Sequence, residues 1–396
     1  MSFRSGRHFL QIPGPSNVPD RILRAIDRPT MDHRGPEFGK FTLGVLQRLK
    51  TVFKTEGPVI AYPSSGTGAW EAALVNTLSS GDKVLMFETG QFAVLWRELA
   101  ARLGLDVDVV EGDWRHGVSA DDVESRLAGD NDHKIKAVCV VHNETSTAVP
   151  SDIGAIRQAM DAANHPALLL VDTISSLGSI PYDHKNWSVD VTVGGSQKGL
   201  MLPPGLGLNV VSEKAREVAK SATSPKAYWD WEPVINANAN GFFPYTPPTN
   251  LMFGLAEAQS LLRDEGMPQV YARHARHGTA TRAAVQAWGL ETVCRQPDRH
   301  SDSLTALLMP DGVDADEVRR VALTNFNVSL GTGLGKLAKK AFRIGHLGDF
   351  NDLMLTGTLT GVEMALEMAG VDFQKDGVRA AMQHLQADRQ SNTKAH

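Results

Sequence analysis

The chain has 396 residues, enough at about 150 per domain for two or three domains and a large core. Its 42% hydrophobic and 21% charged residues exclude a disordered chain, and a formal net charge of -5 excludes a global cationic field for nucleic acid. Two cysteines, Cys139 and Cys294, exclude a disulfide scaffold and a Cys-rich zinc module. No stretch reaches about 18 consecutive apolar residues, so no membrane-spanning helix is expected. Met1–Leu10 carries Arg and no acid, and lacks the apolar core of a secretory signal. Pro13-Gly14-Pro15 follows too soon for a typical transit peptide. The final Thr393–His396 is not a Ser-Lys-Leu type of peroxisomal address. A cytoplasmic protein is expected, with neither membrane nor nucleic acid as a partner.

The middle of the chain alternates strand and helix signals. Val84–Phe87, Val107–Val110, Ile135–Val141, Ala167–Val171 and Val189–Val193 are short Val/Ile/Leu-rich runs, read as buried strands of a mostly parallel sheet. Cys139 falls inside one of them. Helical patterns lie between: Ala69–Leu78 after a Gly/Ser turn, Ala120–Leu127 after Ser119, and Asp152–Ala163 after Ser151, both serines being N-cap candidates. The rhythm predicts an α/β domain with right-handed crossovers. Thr223–Pro248 breaks it with aromatic, Pro and Asn residues and reads as a long irregular segment. Helices are predicted over Leu251–Glu265 and Val270–Ala287. Thr305–Met309, Asp316–Asn325 and Met354–Ala369 then read as strand, helix and helix of a second, smaller α/β domain.

Three features carry chemistry. Asp172 ends the run Leu168–Val171, and Lys198 stands just beyond the next predicted strand, in Gly194-Gly195-Ser196-Gln197-Lys198-Gly199. Ligands of open α/β sheets bind outside the carboxyl ends of the strands. An acid and a lysine there fit a pyridoxal phosphate site: the lysine forms the Schiff base and the aspartate keeps the pyridine nitrogen protonated. Taken singly, a surface lysine and a helix-capping aspartate remain alternatives. Second, Ser64-Ser65-Gly66-Thr67-Gly68-Ala69-Trp70-Glu71 opens a helix, where free N–H groups and the dipole hold a phosphate. Glu71 stands where a dinucleotide fingerprint needs its third glycine, so one phosphate is the better fit. The alternative is an ordinary turn capped by Thr67. Third, Arg343 lies between apolar residues in Phe342-Arg343-Ile344-Gly345. A substrate carboxylate or an internal salt bridge would each meet its need for a partner.

Together with His142-Asn143-Glu144-Thr145, these motifs resemble, in order and spacing, the class V aminotransferases of the fold-type I pyridoxal phosphate enzymes. The likeness is greatest to serine–glyoxylate and alanine–glyoxylate aminotransferases. It runs from Pro13-Gly14-Pro15-Ser16-Asn17 to the C-terminal helices. The resemblance implies a seven-stranded-type, mostly parallel sheet in a large cofactor domain over 21–285. A small C-terminal α/β domain over 286–396 would follow it, and an N-terminal arm over 1–20 would pack on the active site. It implies Lys198 as Schiff-base lysine, Asp172 on the pyridine nitrogen and Arg343 on the substrate α-carboxylate. It implies phosphate contacts from Thr67, Gly68, Gln197, the Ala69 N–H and, from the partner subunit, Thr246. Thr145 would face the ring hydroxyl and Phe92 would stack on the ring. Phe243 replaces a Tyr of the alanine–glyoxylate enzyme and lacks its hydroxyl. A homodimer with shared active sites is implied, with a tetramer left open.

The implied reaction moves an amino group from L-serine or L-aspartate to glyoxylate, giving glycine and hydroxypyruvate or oxaloacetate in ping-pong fashion. Alanine is an alternative donor. His33 and Arg34, in Thr30–Pro36, are candidates to read the donor's distal group from the neighbouring subunit; an Asp32–Arg34 surface pair is the alternative. A cysteine desulfurase needs a nucleophilic Cys on an exposed mobile loop, and neither cysteine is placed so. Gly331–Lys336 fails as a P-loop, because Leu330 and Leu337 occupy obligatory positions. His274 and His277 have no third metal ligand and are read as a solvent-exposed helix end. Trp70 and Trp96 are read as core or interface residues.

Overall fold

In the chain's computed structural model, residues 5–296 and 298–393 are described, with side chains through Asp388. The expectations that rest on residues 1–4 and 394–396 lie outside them.

Apolar runs bounded by turns form a seven-stranded sheet. Its spatial order is Val59–Ser64, Gly205–Val211, Val191–Gly195, Leu168–Asp172, Ile135–Val141, Lys83–Phe87 and Asp106–Val110. The last five pair in parallel. Gly205–Val211 runs antiparallel to both its neighbours. The central strand shows why its sequence is a continuous apolar run. Leu169 and Val171 enter the core on one face, Leu168 and Leu170 the core on the other, as a strand covered on both sides requires. The same alternation puts Asp172 on the face of Leu168 and Leu170. The Gly66–Thr77 helix covers that face over Val191–Gly195 and Gly205–Val211. Gly207 admits the close approach: a Cβ there would stand 2.6 Å from the Ser65 carbonyl oxygen.

A second sheet orders Phe9–Gln11, Val328–Thr332, Ala341–Gly345, Leu304–Leu308 and Glu291–Thr292. Its first strand comes from the N-terminal segment, parallel to Val328–Thr332 with Phe9 opposite Val328. The chain then crosses to the large sheet's active edge, so one segment ties both sheets together.

Several expectations change. Ser119 does cap its helix, accepting from the Asp122 N–H. The next helix, Ile153–Ala162, is capped by Asp152, which accepts from the Ala155 N–H. Ser151 instead accepts from the Val118 N–H, which moves the helix start by one residue. Thr223–Pro248 is not wholly irregular: Trp231–Asn238 is helical, capped by Asp230 and anchored by buried Trp231. His274 and His277 are fully buried rather than exposed. His274 donates from Nδ1 to the Val270 carbonyl and accepts the Gly348 N–H at Nε2, so two neutral-imidazole bonds settle it in the core. His277 Nε2 lies 3.0 Å from Asp352.

Leu169 is completely buried at the centre of the large sheet. Leu169→Ala should cost about 2–5 kcal/mol through lost transfer energy and a cavity. The check is a lower urea midpoint with an unchanged slope.

Candidate active site

The carboxyl ends of Leu168–Asp172 and Val191–Gly195, the first turn of Gly66–Thr77 and the N-terminal segment converge on a cavity of about 230 Å³. Asp172, Lys198, Gln197, Thr67, Thr145 and Phe92 all line it, six of the residues singled out in the sequence. So do Gly14, Pro15, Ser65, Gly66, Trp70 and Ile174, which were not assigned to the site.

Lys198 is 8% exposed, and its Nζ donates to the Pro13 carbonyl. Burial lowers its amine to about 8, the Arg343 charge adds to the fall and Asp172 opposes it. Gly14 makes room for this lysine. Its φ is +102°, a conformation that favours glycine, and a Cβ there would meet the end of the lysine side chain.

Asp172 is 4% exposed. Its Oδ1 accepts the Ile174 N–H at 2.6 Å and its Oδ2 the Trp70 Nε1–H at 3.1 Å. Burial pushes the carboxyl up to about 7. The Ile174 N–H, Trp70 and Lys198 pull it down, and Glu144 adds to the rise.

Arg343, in Ala341–Gly345, is 7% exposed. It donates from Nε to the Thr332 carbonyl and from Nη1 to the Thr145 carbonyl. No carboxylate pairs with it among the described residues. The alternative of an internal salt bridge is therefore not met, and three of its five N–H donors remain for an anion. Glu144, fully buried beside the cavity, accepts from Phe92 N–H, Ala93 N–H, Ser146 N–H and Ser146 Oγ–H. One carboxylate thus fixes the backbone at both Phe92 and the Thr145 turn.

Other expected residues lie differently. The Ala69 N–H is taken by the Ser65 carbonyl at 3.2 Å, and neither Ala69 nor Gly68 lines the cavity. Ser65 and Gly66 do so instead, because the helix begins at Gly66. Thr246 and Arg34 are exposed, His33 is half-buried, and none of the three borders this cavity. The Asp32 carboxylate accepts the backbone N–H of Arg34 rather than its guanidinium. Cys139 and Cys294 are buried, and burial raises both thiols, the opposite of what a persulfide-forming nucleophile needs.

The donor set fits pyridoxal phosphate. Each oxygen of Asp172 has one N–H donor and keeps a lone pair for a pyridinium N–H, whose charge would offset the burial. The first-turn amides of Gly66–Thr77 have no intrahelical partner and meet an anion. Gln197 Oε1 is buried at the cavity wall without a partner among the described residues. Lys198 offers the amine for an aldehyde.

Fold and site together define a pyridoxal phosphate-dependent aminotransferase. The chain belongs to the class-V aminotransferase family, whose profile matches residues 9–339. It is 49% identical to the serine–glyoxylate aminotransferase of Methylorubrum extorquens over 96% of this chain and 97% of that one. It is 45% identical to the L-aspartate–glyoxylate aminotransferase of Paracoccus denitrificans over 94% and 95%. The crystal structure of pyridoxamine–pyruvate aminotransferase from Mesorhizobium loti superposes with a TM-score of 0.89 at 27% identity, covering 97% and 98%.

Without pyridoxal phosphate, the raised Asp172 makes a signed prediction. Its contribution to stability is full below the ordinary value of 3.8 and is lost as pH rises to about 7. Asp172→Asn does not titrate. The melting-temperature advantage of the cofactor-free variant over the wild type should therefore grow from about pH 4 to about pH 7 and level off above it.

Proposed function

We propose that the protein transfers the amino group of L-serine to glyoxylate, giving hydroxypyruvate and glycine. The observation that carries this reading is that Lys198 and Asp172 line one cavity while Arg343, with no carboxylate partner among the described residues, is buried next to it and donates to the carbonyl of the cavity-lining Thr145. When bound, pyridoxal phosphate supplies an aldehyde to carry the amino group and a ring to hold the electrons of the broken Cα–H bond. The protein's residues do the rest. Asp172 holds a proton at the ring nitrogen. Arg343 clamps the substrate carboxylate with its free N–H groups, which sets the direction of Cα–H. Lys198 has an acidity near the working pH, so its free amine takes the proton from Cα and returns it one carbon away. Phe92 and Thr145 hold the ring plane, and Pro15 and Ile174 help to exclude water. The keto acid leaves, glyoxylate enters on the same clamp, and the proton moves back.

Aspartate is the second reading. A relative named for it covers nearly the whole chain. The Thr30–Pro36 loop also carries an exposed Arg34 and a His33 whose buried Nε2 has no partner. These two residues and Thr246 lie away from the cavity of their own protomer, which supports a homodimer in which each loop completes the other's site. The two free, buried cysteines suit the reducing cytoplasm.

Two measurements test this. L-serine alone should bleach the visible band of the bound cofactor, and glyoxylate should restore it; bleaching by L-aspartate and not by L-serine would reassign the donor. Arg343→Ala should lower kcat/KM for donor and glyoxylate alike by at least about 150-fold, the worth of two charge-assisted bonds of about 1.5 kcal/mol or more each. Arg343→Lys should recover little, because an ammonium cannot match the fork.

A further inference from the structure

The sequence marks Trp70 as a core or interface residue, yet its indole reaches Asp172, the carboxylate assigned to the ring nitrogen. We propose that Trp70 is a positioning residue: its Nε1–H fixes the Asp172 carboxylate against the pyridine nitrogen, while its helix carries the phosphate cradle. The inference rests on the pyridoxal phosphate reading of the cavity.

The geometry supports it from three sides. Trp70 is 3% exposed and lines the cavity, with Nε1 3.1 Å from Asp172 Oδ2. The Ile174 N–H holds the other oxygen. Two donors, one on each oxygen, set the carboxylate plane, and neither can accept a proton. Both therefore favour the ionised acid that a pyridinium needs. Second, Trp70 stands about one turn beyond Gly66 on Gly66–Thr77. The same helix holds Asp172 through Trp70 and would hold a phosphate at its N-terminus, so one element would set the spacing between the two ends of a bound cofactor. Third, the indole is locked. Trp96 stacks on it with centroids 5.7 Å apart and planes 12° from parallel. Trp96 Nε1 is itself buried without a partner among the described residues. Of two stacked indoles in one core, only one has work for its N–H.

The pair supplies its own control. Trp70→Phe removes the N–H and keeps an aromatic ring; Trp96→Phe alters the stack and leaves the N–H in place. Each holoenzyme is loaded with pyridoxal phosphate labelled with 15N in the ring, and the nitrogen resonance is followed against pH. Trp70→Phe should lower the pH at which the nitrogen loses its proton by about one unit, as expected for one lost bond to a charged group. It should also lower kcat about tenfold at nearly unchanged KM, and Trp70→His should restore part of both by returning a ring N–H. Trp96→Phe should lower the melting temperature and leave the nitrogen titration alone. A wild-type titration in Trp70→Phe overturns the inference, as does an equal shift in Trp96→Phe. Should Trp70→Phe fail to fold, the wild-type protein with 15N-labelled indoles decides. The Trp70 Nε1–H resonance should move when pyridoxal phosphate binds and the Trp96 resonance should not; an unmoved Trp70 resonance overturns the inference. The nitrogen titration needs no amino donor. Failure of the serine–glyoxylate reading would leave it intact, and failure of the Trp70 inference would leave transamination standing.

Discussion

Four ionisable side chains buried around one cavity impose the constraint that the rest of the structure satisfies. Lys198, Asp172, Glu144 and Arg343 are each less than a tenth exposed. An unpaired buried charge is costly, so each must be met by hydrogen-bonding groups held in place. The chain meets them mostly with backbone. Pro13 C=O faces Lys198, and Ile174 N–H faces Asp172. Thr332 and Thr145 carbonyls face Arg343. The Phe92, Ala93 and Ser146 amides face Glu144. These groups come from segments far apart in the chain, and only the finished fold brings them together. Glu144 shows how closely: a Cβ on Gly90 would stand 2.4 Å from its Cγ.

The same burial shapes the chemistry. It moves Lys198 toward the neutral amine, which suits a proton carrier, and Asp172 toward the neutral acid, which does not suit a pyridinium partner. The two N–H donors on Asp172 counter the second effect, and a cation on the ring completes the correction. The protein thus carries a carboxylate that is uncomfortable alone and comfortable with its cofactor, the usual pattern of strain kept at a functional site.

The sequence made the centre of this arrangement legible and left its surroundings obscure, for physical reasons. Leu168–Asp172 and the Gly194–Gly199 turn were readable because a strand buried on both faces is an uninterrupted apolar run, and a polar residue at its end stands out. Arg343 stood out in the same way. Val59–Ser64 and Gly205–Val211 escaped assignment, because Pro63, Gly205 and Gly207 interrupt their apolar pattern. The helix start was placed at Ala69 rather than Gly66, because glycines score poorly as helix formers. Trp70 and Glu144 could not be assigned by type, since a tryptophan in a helical pattern looks like core. Only strand parity, which sets Asp172 on the face covered by that helix, pointed toward Trp70.

The pairing of Phe9–Gln11 with Val328–Thr332 also governs the order of events during synthesis. Phe9–Gln11 finds its neighbour only once Val328–Thr332 has been made. The large sheet closes earlier, once Gly205–Val211 has emerged to bridge Val59–Ser64 and Val191–Gly195. Pro13 and Gly14 come two and three residues after Phe9–Gln11, so the carbonyl that meets the Lys198 amine is held in place by a pairing with the far end of the chain.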